Sequence, residues 1–121
     1  MTRINVGVEP KELPDRLLMA EHREIKRIPN CIKSGRFNLS KIPEKFTLGT
    51  GHVSFFYNKI LYLKKRYQKI YQECLDRGFK VTNFSESFED IDEYFMNDYQ
   101  ETPRDREILF QRFSEKGFDV R

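Results

Sequence analysis

The chain has 121 residues, of which 38% are apolar, 14% aromatic and 34% charged, and its net charge is +3. This composition is typical of a folded protein with a heavily solvated surface, and the length predicts one domain covering residues 1–121. The sequence has no apolar run near the ~20 residues that a membrane span needs, and no leader with a cleavage site, so we expect a cytoplasmic protein without a membrane partner.

The basic residues are concentrated in the first two thirds of the chain. Residues 1–80 contain 17 Lys and Arg against 8 Asp and Glu, a net charge of +9, whereas residues 81–121 contain 5 against 11, a net charge of −6. A basic region of this size favours a polyanionic partner, and ordinary solvated surface is the alternative.

The first helix is predicted to begin near Pro14 and to end at Pro29-Asn30, because proline suits a first helical turn and interrupts a later one. At 100° per residue, its apolar side chains share one side: Leu17, Leu18, Ile25 and Ile28. The opposite side carries Arg16, Ala20, Arg23 and Arg27, with Glu24 at the edge. The helix is therefore predicted to be amphipathic, with an arginine cluster as its polar side.

A connector of mostly loop is predicted next, before the clearest helix of the chain, which runs from His52 to Gly78. Its apolar positions step by three and four, the spacing of a buried helical stripe: Val53, Phe56, Ile60, Leu63, Tyr67, Ile70 and Cys74. The basic residues of this helix fall outside the stripe: Lys59, Lys64, Lys65, Arg66 and Lys69.

An acidic, irregular segment follows, and a third helix is predicted from Pro103 to Gly117 with Ile108, Leu109 and Phe113 on its inner side. Three main helices joined by long connections indicate an all-α fold.

Two residues have chemistry of interest. Removal of Met1 would leave an α-amino group on Thr2, and its reference pKa of ~7.7–8.0 makes it a better nucleophile near neutrality than lysine. An ordinary chain start is the alternative. Glu24, flanked by Arg23 and Arg27, is suited to stabilising a cation or moving a proton, and a surface ion pair is its alternative. The arginines are either phosphate contacts or solubilising residues.

Metal and cofactor sites are not indicated. His22, Cys31, His52 and Cys74 lack the spacing of zinc ligands, and both cysteines are expected to be reduced thiols. No phosphate-binding loop or nucleophile elbow is present either, so we expect neither a metal nor an organic cofactor.

The stretches "MTRIN", "LLMAEHREIKR", "FTLGTGHVSFFYNKILYLKKR" and "ECLDRGF" resemble, in this order, the pyrimidine-dimer DNA glycosylase/AP lyases of the phage endonuclease V type. The resemblance extends from residue 1 to about 116, with a shorter connector between Arg27 and His52. It implies a compact all-α fold of three main helices in which the N-terminus is threaded between helices.

The resemblance also implies an activity and its residues. The partner would be double-stranded damaged DNA, bound by a monomer, and the lesion a cyclobutane pyrimidine dimer. The α-amine of Thr2 would be the nucleophile and Glu24 the essential carboxylate. DNA contacts would come from the basic residues of the family pattern and of the connector: Arg3, Arg23, Arg27, Lys33, Arg36, Arg112 and Lys116.

The sequence departs from the family pattern at three places. Leu17 stands at the position of a histidine and His22 at that of a tyrosine, and the aromatic, basic tail of the family has no counterpart in the ending "GFDVR". Two alternatives therefore stay open: the same chemistry on another modified or abasic site, and a non-catalytic module that binds distorted duplex DNA.

Overall fold

The computed structural model describes residues 2–118, and over this range the chain is all-α, with no β-strand. Five α-helices follow one another: α1 (Asp15–Glu24), α2 (Arg27–Lys33), α3 (His52–Phe55), α4 (Ile60–Asp76) and α5 (Pro103–Glu115). Short 3₁₀ helices occur at Pro10–Glu12, Ser85–Phe88 and Glu93–Phe95. The three helices of ten residues or more are α1, α4 and α5, which confirms the predicted all-α fold. Met1 and residues 119–121, the end of the "GFDVR" tail, lie outside the described residues.

The N-terminal segment is part of the core. Ile4, Val6 and Val8 are fully buried, and Asn5 between them is buried as well. Residues 5–8 form a turn, in which the Val8 N–H donates to the Asn5 carbonyl at 3.2 Å. The segment is bonded to three helices, since Asn5 Nδ2 donates to Glu21 of α1, Arg66 of α4 donates to the Val8 carbonyl, and Arg106 of α5 donates to the Gly7 carbonyl. The predicted threading of the N-terminus between helices is thereby confirmed.

Helix α4 is the central element, and α1 packs against it. Of the predicted stripe, all members from Phe56 to Cys74 are buried, and Val53 is half-buried. Gly78, at φ +83°, ends the helix as expected, because glycine adopts the left-handed region without a steric penalty.

The first predicted helix is divided in two, and its predicted end was wrong. Helix α1 stops at Glu24, the chain turns at Ile25-Lys26, and α2 then contains Pro29 as its third residue. A proline is tolerated there because the first four N–H groups of a helix have no partner within it.

The second predicted helix is also interrupted, between Phe56 and Lys59. Lys59 has φ −133° and ψ +40°, and its ammonium donates to the Phe55 carbonyl at 2.8 Å and to Asn58 Oδ1 at 2.9 Å. These side-chain bonds satisfy the end of α3 and stabilise the interruption.

Helix α5 agrees with its prediction. Thr102 and Asp105 form a reciprocal capping box at its start, and Gly117 follows its end at φ +80°. Leu109 and Phe113 are buried, and Ile108 is half-buried. None of the helices within residues 2–118 combines the length and apolar character needed to cross a membrane.

Candidate active site

One face of α1 lines a cleft of about 240 Å³, which we call the Glu24 cleft. Residues at helical positions i, i+3, i+4 and i+7 share a face, and this face presents Leu17, Ala20, Glu21 and Glu24. The remaining walls come from the N-terminal segment and from the end of α5: Arg3, Asn5, Lys116 and Phe118. The first helix therefore meets the N-terminal segment here.

The Glu24 carboxylate lies mostly below the surface. Its side chain is 14% exposed, whereas that of Arg23, whose guanidinium lies 3.4 Å from Glu24 Oε2, is 59% exposed. An ordinary surface pair would leave both groups in water, whereas here only the Arg23 side chain is largely exposed. Glu24 is therefore a carboxylate on the wall of the cleft, and the exposed Arg23 guanidinium pairs with it.

Arg3 has charged neighbours on both α1 and α5. Burial lowers the pKa of Arg3, the positive charge of Arg112 lowers it further, and the negative charge of Glu24 opposes both. Arg112 and Glu24 are thus both near enough to Arg3 to affect its charge. Arg112 also lies 3.5 Å from Glu115 on its own helix.

A second cleft of about 300 Å³, the Thr2 cleft, adjoins the first through Arg3 and is lined by Thr2, Arg3, Gly49, His52 and Val53. The turn before α3 shapes it, because Gly49 and Gly51 have φ of +68° and +88°. A Cβ at Gly51 would lie 3.0 Å from Pro43 Cγ. This turn needs glycine, and it places His52 beside the N-terminal segment.

Three basic residues come together at the turn from α1 to α2: Arg23, Lys26 and Arg27. Lys26 Nζ donates to the Arg23 carbonyl at 2.5 Å and lies 4.0 Å from the centre of the Phe84 ring. Burial lowers the pKa of Lys26, and the neighbouring charges of Arg27 and Arg23 add to the effect. Lys26 was not among the predicted site residues, although its place between Arg23 and Arg27 in the sequence was a usable signal.

Two predicted DNA contacts lie elsewhere. Lys33, the last residue of α2, donates to the Glu86 carbonyl at 3.0 Å, and Arg36 is exposed in the following loop. Neither residue lines the Glu24 cleft or the Thr2 cleft.

A buried polar group lies behind the Glu24 cleft and was missed from the sequence. Arg66 donates through Nε and Nη2 to both carboxylate oxygens of Glu21, and the two side chains are 5% and 0% exposed. Asn5 Nδ2 donates to Glu21 Oε1 at 2.6 Å, and Asn5 Oδ1 has no hydrogen-bond partner among the residues described. Arg66, predicted to lie outside the buried stripe, is therefore a core residue.

Both histidines are buried. His22 Nε2 lies 3.0 Å from the Tyr67 hydroxyl, with the Phe84 ring 5.1 Å away. His52 lies between two backbone groups, with Nε2 2.9 Å from the Ile4 nitrogen and Nδ1 2.8 Å from the Thr47 oxygen. Burial lowers the pKa of each histidine. Cys31 and Cys74 are free thiols, and over residues 2–118 no three His, Cys, Asp or Glu side chains are grouped so as to hold a metal ion.

The family model described as pyrimidine dimer DNA glycosylase matches this chain over residues 1–87. The matched range contains the N-terminal segment and α1 to α4, with Thr2, Arg3 and Glu24. Arg112, Lys116 and Phe118, which complete the surroundings of Arg3 and the Glu24 cleft, lie beyond it. With well over half of its length matched, this chain belongs to the pyrimidine dimer DNA glycosylase family.

Proposed function

We propose that this protein excises cyclobutane pyrimidine dimers from duplex DNA and then cleaves the strand as an AP lyase, acting as a monomer and without a metal or organic cofactor. The observation that carries the proposal is the Glu24 cleft, in which a mostly buried carboxylate lies across from Arg3, the neighbour of Thr2. The membership of the chain in the pyrimidine dimer DNA glycosylase family supports the substrate.

The first step is attack by the α-amine of Thr2, after removal of Met1, on C1′ of the damaged nucleotide. The new C–N bond replaces the bond from C1′ to the base. The base takes up a proton and stays joined to its neighbouring pyrimidine through the cyclobutane ring. Opening of the sugar, with a proton transferred to O4′, gives an imine between Thr2 and C1′. Glu24 stabilises the cationic sugar, and a carboxylate in a partly dry cleft does this more effectively than one in water.

The second step is β-elimination. The protonated imine acidifies the C2′ proton, and its removal breaks the bond from C3′ to the phosphate oxygen, which leaves with the 3′ phosphate. Glu24 is the candidate acceptor of that proton. Water then hydrolyses the imine and releases Thr2.

Phosphate binding is assigned to basic residues around the two clefts. Arg23, Lys26 and Arg27 surround the turn from α1 to α2, and Arg112 and Lys116 approach Arg3 from α5. Arginine is suited to this task because its planar guanidinium donates to phosphate in pairs. Lys33 and Arg36 would make outer contacts with the same DNA.

A second candidate is the same chemistry on a different lesion or on abasic sites. Lys116 and Phe118 line the Glu24 cleft but lie beyond the matched range of residues 1–87. Part of the cleft wall thus lies outside the matched range that supports the substrate, and the aromatic, basic tail of the family is absent, which favours a separate determination of the lesion.

The test is incubation with duplexes that carry a pyrimidine dimer, an abasic site or no damage, with borohydride present to reduce any imine to a stable adduct. We expect adducts on the dimer and abasic duplexes, and mass spectrometry should locate them on Thr2. Adduct on the abasic duplex alone would favour the second candidate. Binding without adduct on every duplex would favour a non-catalytic DNA-binding module.

Variants of Thr2 separate its amine from its side chain. Thr2→Ser and Thr2→Ala should keep substantial trapping once Met1 is removed, because each retains the α-amine. Acetylation of the terminus should abolish trapping, because it removes the nucleophilic lone pair. An adduct on a lysine, or full activity of the acetylated protein, would overturn the mechanism.

A further inference from the structure

His52 makes two hydrogen bonds to backbone groups that are far apart in the sequence. Its Nε2 lies 2.9 Å from the Ile4 nitrogen, and its Nδ1 lies 2.8 Å from the Thr47 oxygen. A backbone N–H only donates and a carbonyl only accepts, so Nε2 must be the acceptor and Nδ1 must carry the proton. Both bonds therefore exist together only in the neutral Nδ1–H form of the ring.

The ring is held rigidly in this position. It is 4% exposed and packs edge-on against Phe46 and Phe56, with ring centres 5.5 and 5.4 Å away. The backbone N–H of His52 donates to the Gly49 carbonyl at 3.0 Å, which joins the residue to the glycine turn before α3. Ring packing, the two hydrogen bonds of the imidazole and this backbone bond leave the side chain little freedom to follow a moving chain.

The bond to Ile4 lies where the N-terminal segment leaves the core. Ile4 is fully buried, whereas Arg3 and Thr2 are half-buried, and Thr2, Arg3 and His52 line one cleft. Terminal residues are poorly ordered unless something holds them. A fixed acceptor two residues from Thr2 restricts the volume that its α-amine can explore.

We propose that His52 is a positioning residue, which holds the Ile4 N–H and thereby directs the α-amine of Thr2 toward the Glu24 cleft. The inference rests on the proposed function, in which that amine attacks C1′. Attack requires the reacting atoms to be held at about 3–3.5 Å in the correct direction. His52 raises the rate by orienting the amine, and it neither forms nor breaks a bond in the reaction.

Two substitutions separate the two hydrogen bonds. His52→Asn places an amide N–H₂ near the position of Nδ1 and can still donate to the Thr47 carbonyl, but it offers no acceptor to Ile4. His52→Gln places an amide oxygen near the position of Nε2 and can still accept from Ile4. Cys74→Ala, a buried change in the last turns of α4, is a control for loss of packing alone.

The measurement is the rate of borohydride trapping at saturating abasic duplex, together with the Kd for the same DNA. We expect His52→Asn to trap about 10- to 100-fold more slowly, as for a misplacement of about 1 Å, with little change in Kd. His52→Gln should recover most of the rate, and Cys74→Ala should leave it unchanged. Amide hydrogen exchange should show Ile4 protected in the wild type and in His52→Gln and exposed in His52→Asn.

Several results would overturn this role. Wild-type trapping by His52→Asn, or equal loss in folded His52→Gln, would show that the acceptor at Nε2 does not matter. NMR of the wild-type imidazole nitrogens, which needs no variant to fold, would contradict the role if the proton were on Nε2. A wild-type protein that forms no adduct at all would instead overturn the proposed function itself.

Discussion

Glu21 and Glu24 are one helical turn apart on α1, and their surroundings suit different tasks. Both oxygens of Glu21 accept from Arg66, and one also accepts from Asn5. Glu24 has Arg23 at 3.4 Å and a side chain that retains 14% exposure on the cleft wall. Glu21 is therefore a structural carboxylate, and Glu24 is the one that a substrate can approach.

Glu24→Gln should separate binding from chemistry. The amide has nearly the same shape, so α1 should stay folded, and the loss of a negative charge should not weaken attraction to DNA. Excision should fall by about 10²–10⁴-fold, because the amide neither stabilises a cation nor accepts a proton as a carboxylate does. Single-turnover kinetics and a binding titration on the same damaged duplex measure both effects.

The matched control is Glu107→Gln, which makes the same chemical change at an exposed position of α5. It should leave excision unchanged. Wild-type turnover in Glu24→Gln would return Glu24 to the status of an ion pair with Arg23.

The sequence predicted the positions of individual charged residues only in part. Thr2 and Glu24 were candidates from their own chemistry, and a motif resemblance gave them roles and added Arg3. The structure brings Arg3 and Glu24 to one cleft. Glu21 and Arg66 were missed because helical periodicity assigns charged residues to the surface. The burial of two oppositely charged residues depends on their pairing across two helices, so the residue pattern of either helix alone does not predict it.

At the scale of elements, the Glu21–Arg66 pair connects α1 to α4 and reaches the N-terminal segment through Asn5 and Val8. Burial disfavours the charge of Arg66, but Glu21 outweighs burial and raises the pKa of the guanidinium. The guanidinium of Arg66 thus remains charged inside the protein. The pair therefore fixes the positions of α1, α4 and the N-terminal segment relative to one another.

Glu21→Ala should lower the free energy of unfolding by about 3–5 kcal/mol, because it leaves the Arg66 charge buried without its partner. Urea denaturation measures the change. Replacing both residues, as Glu21→Leu with Arg66→Met, should recover part of the loss because no unpaired charge remains.

Lys65→Ala, which breaks an exposed pair with Asp98, should cost about 1 kcal/mol or less. Equal losses in Glu21→Ala and Lys65→Ala would contradict the buried pair.

The elements themselves were predictable where an apolar stripe ran without interruption, as in α4 and α5. The interruptions were not. Lys59 stabilises its break through bonds to Phe55 and Asn58, and Pro29 lies inside a first turn where its missing N–H costs nothing. Neither effect changes the spacing of apolar residues, and that spacing therefore predicts one continuous helix where the structure has two.

At the scale of the whole molecule, the net charge of +9 over residues 1–80 predicts binding dominated by phosphate contacts. The affinity for duplex DNA should fall steeply as salt rises. Arg27→Ala should weaken binding to damaged and undamaged duplexes alike and reduce the slope of log K against log salt by about 1. Titrations at several salt concentrations measure the slope.

Lys69→Ala is the control for that experiment, because it removes one exposed positive charge from α4 and none from the turn between α1 and α2. It should leave the slope close to that of the wild type. A slope lowered equally by both substitutions would indicate general attraction to the net charge rather than contacts at the turn from α1 to α2.

The two buried histidines predict how stability depends on pH. Burial lowers the pKa of both histidines. The charged neighbour of His22 is Lys26, and those of His52 are Arg3 and Glu21. Each ring is therefore neutral in the folded protein at a pH where the same histidine in the unfolded chain binds a proton. The free energy of unfolding should therefore decrease as pH falls below about 6.5, down to the lowered folded pKa values.

Urea denaturation between pH 8 and pH 5 tests this, and His52→Gln should reduce the loss because it removes one of the two groups. The pKa of Asp98 is lowered mainly by its hydrogen bond with Lys65, so its contribution is lost only below about pH 4. A free energy of unfolding that stays constant from pH 8 to pH 5 would contradict the buried neutral state of both histidines.

The hydrogen bond from Arg106 to the Gly7 carbonyl joins residues 99 positions apart. A chain leaving the ribosome exposes its N-terminus first, and Arg106 is made 99 residues after Gly7. The contacts of the N-terminal segment with α5, and the Arg112 charge beside Arg3, are therefore missing until α5 has been made. Under the proposed mechanism, this order of events leaves the end of the nascent chain open to removal of Met1 before α5 completes the surroundings of Arg3.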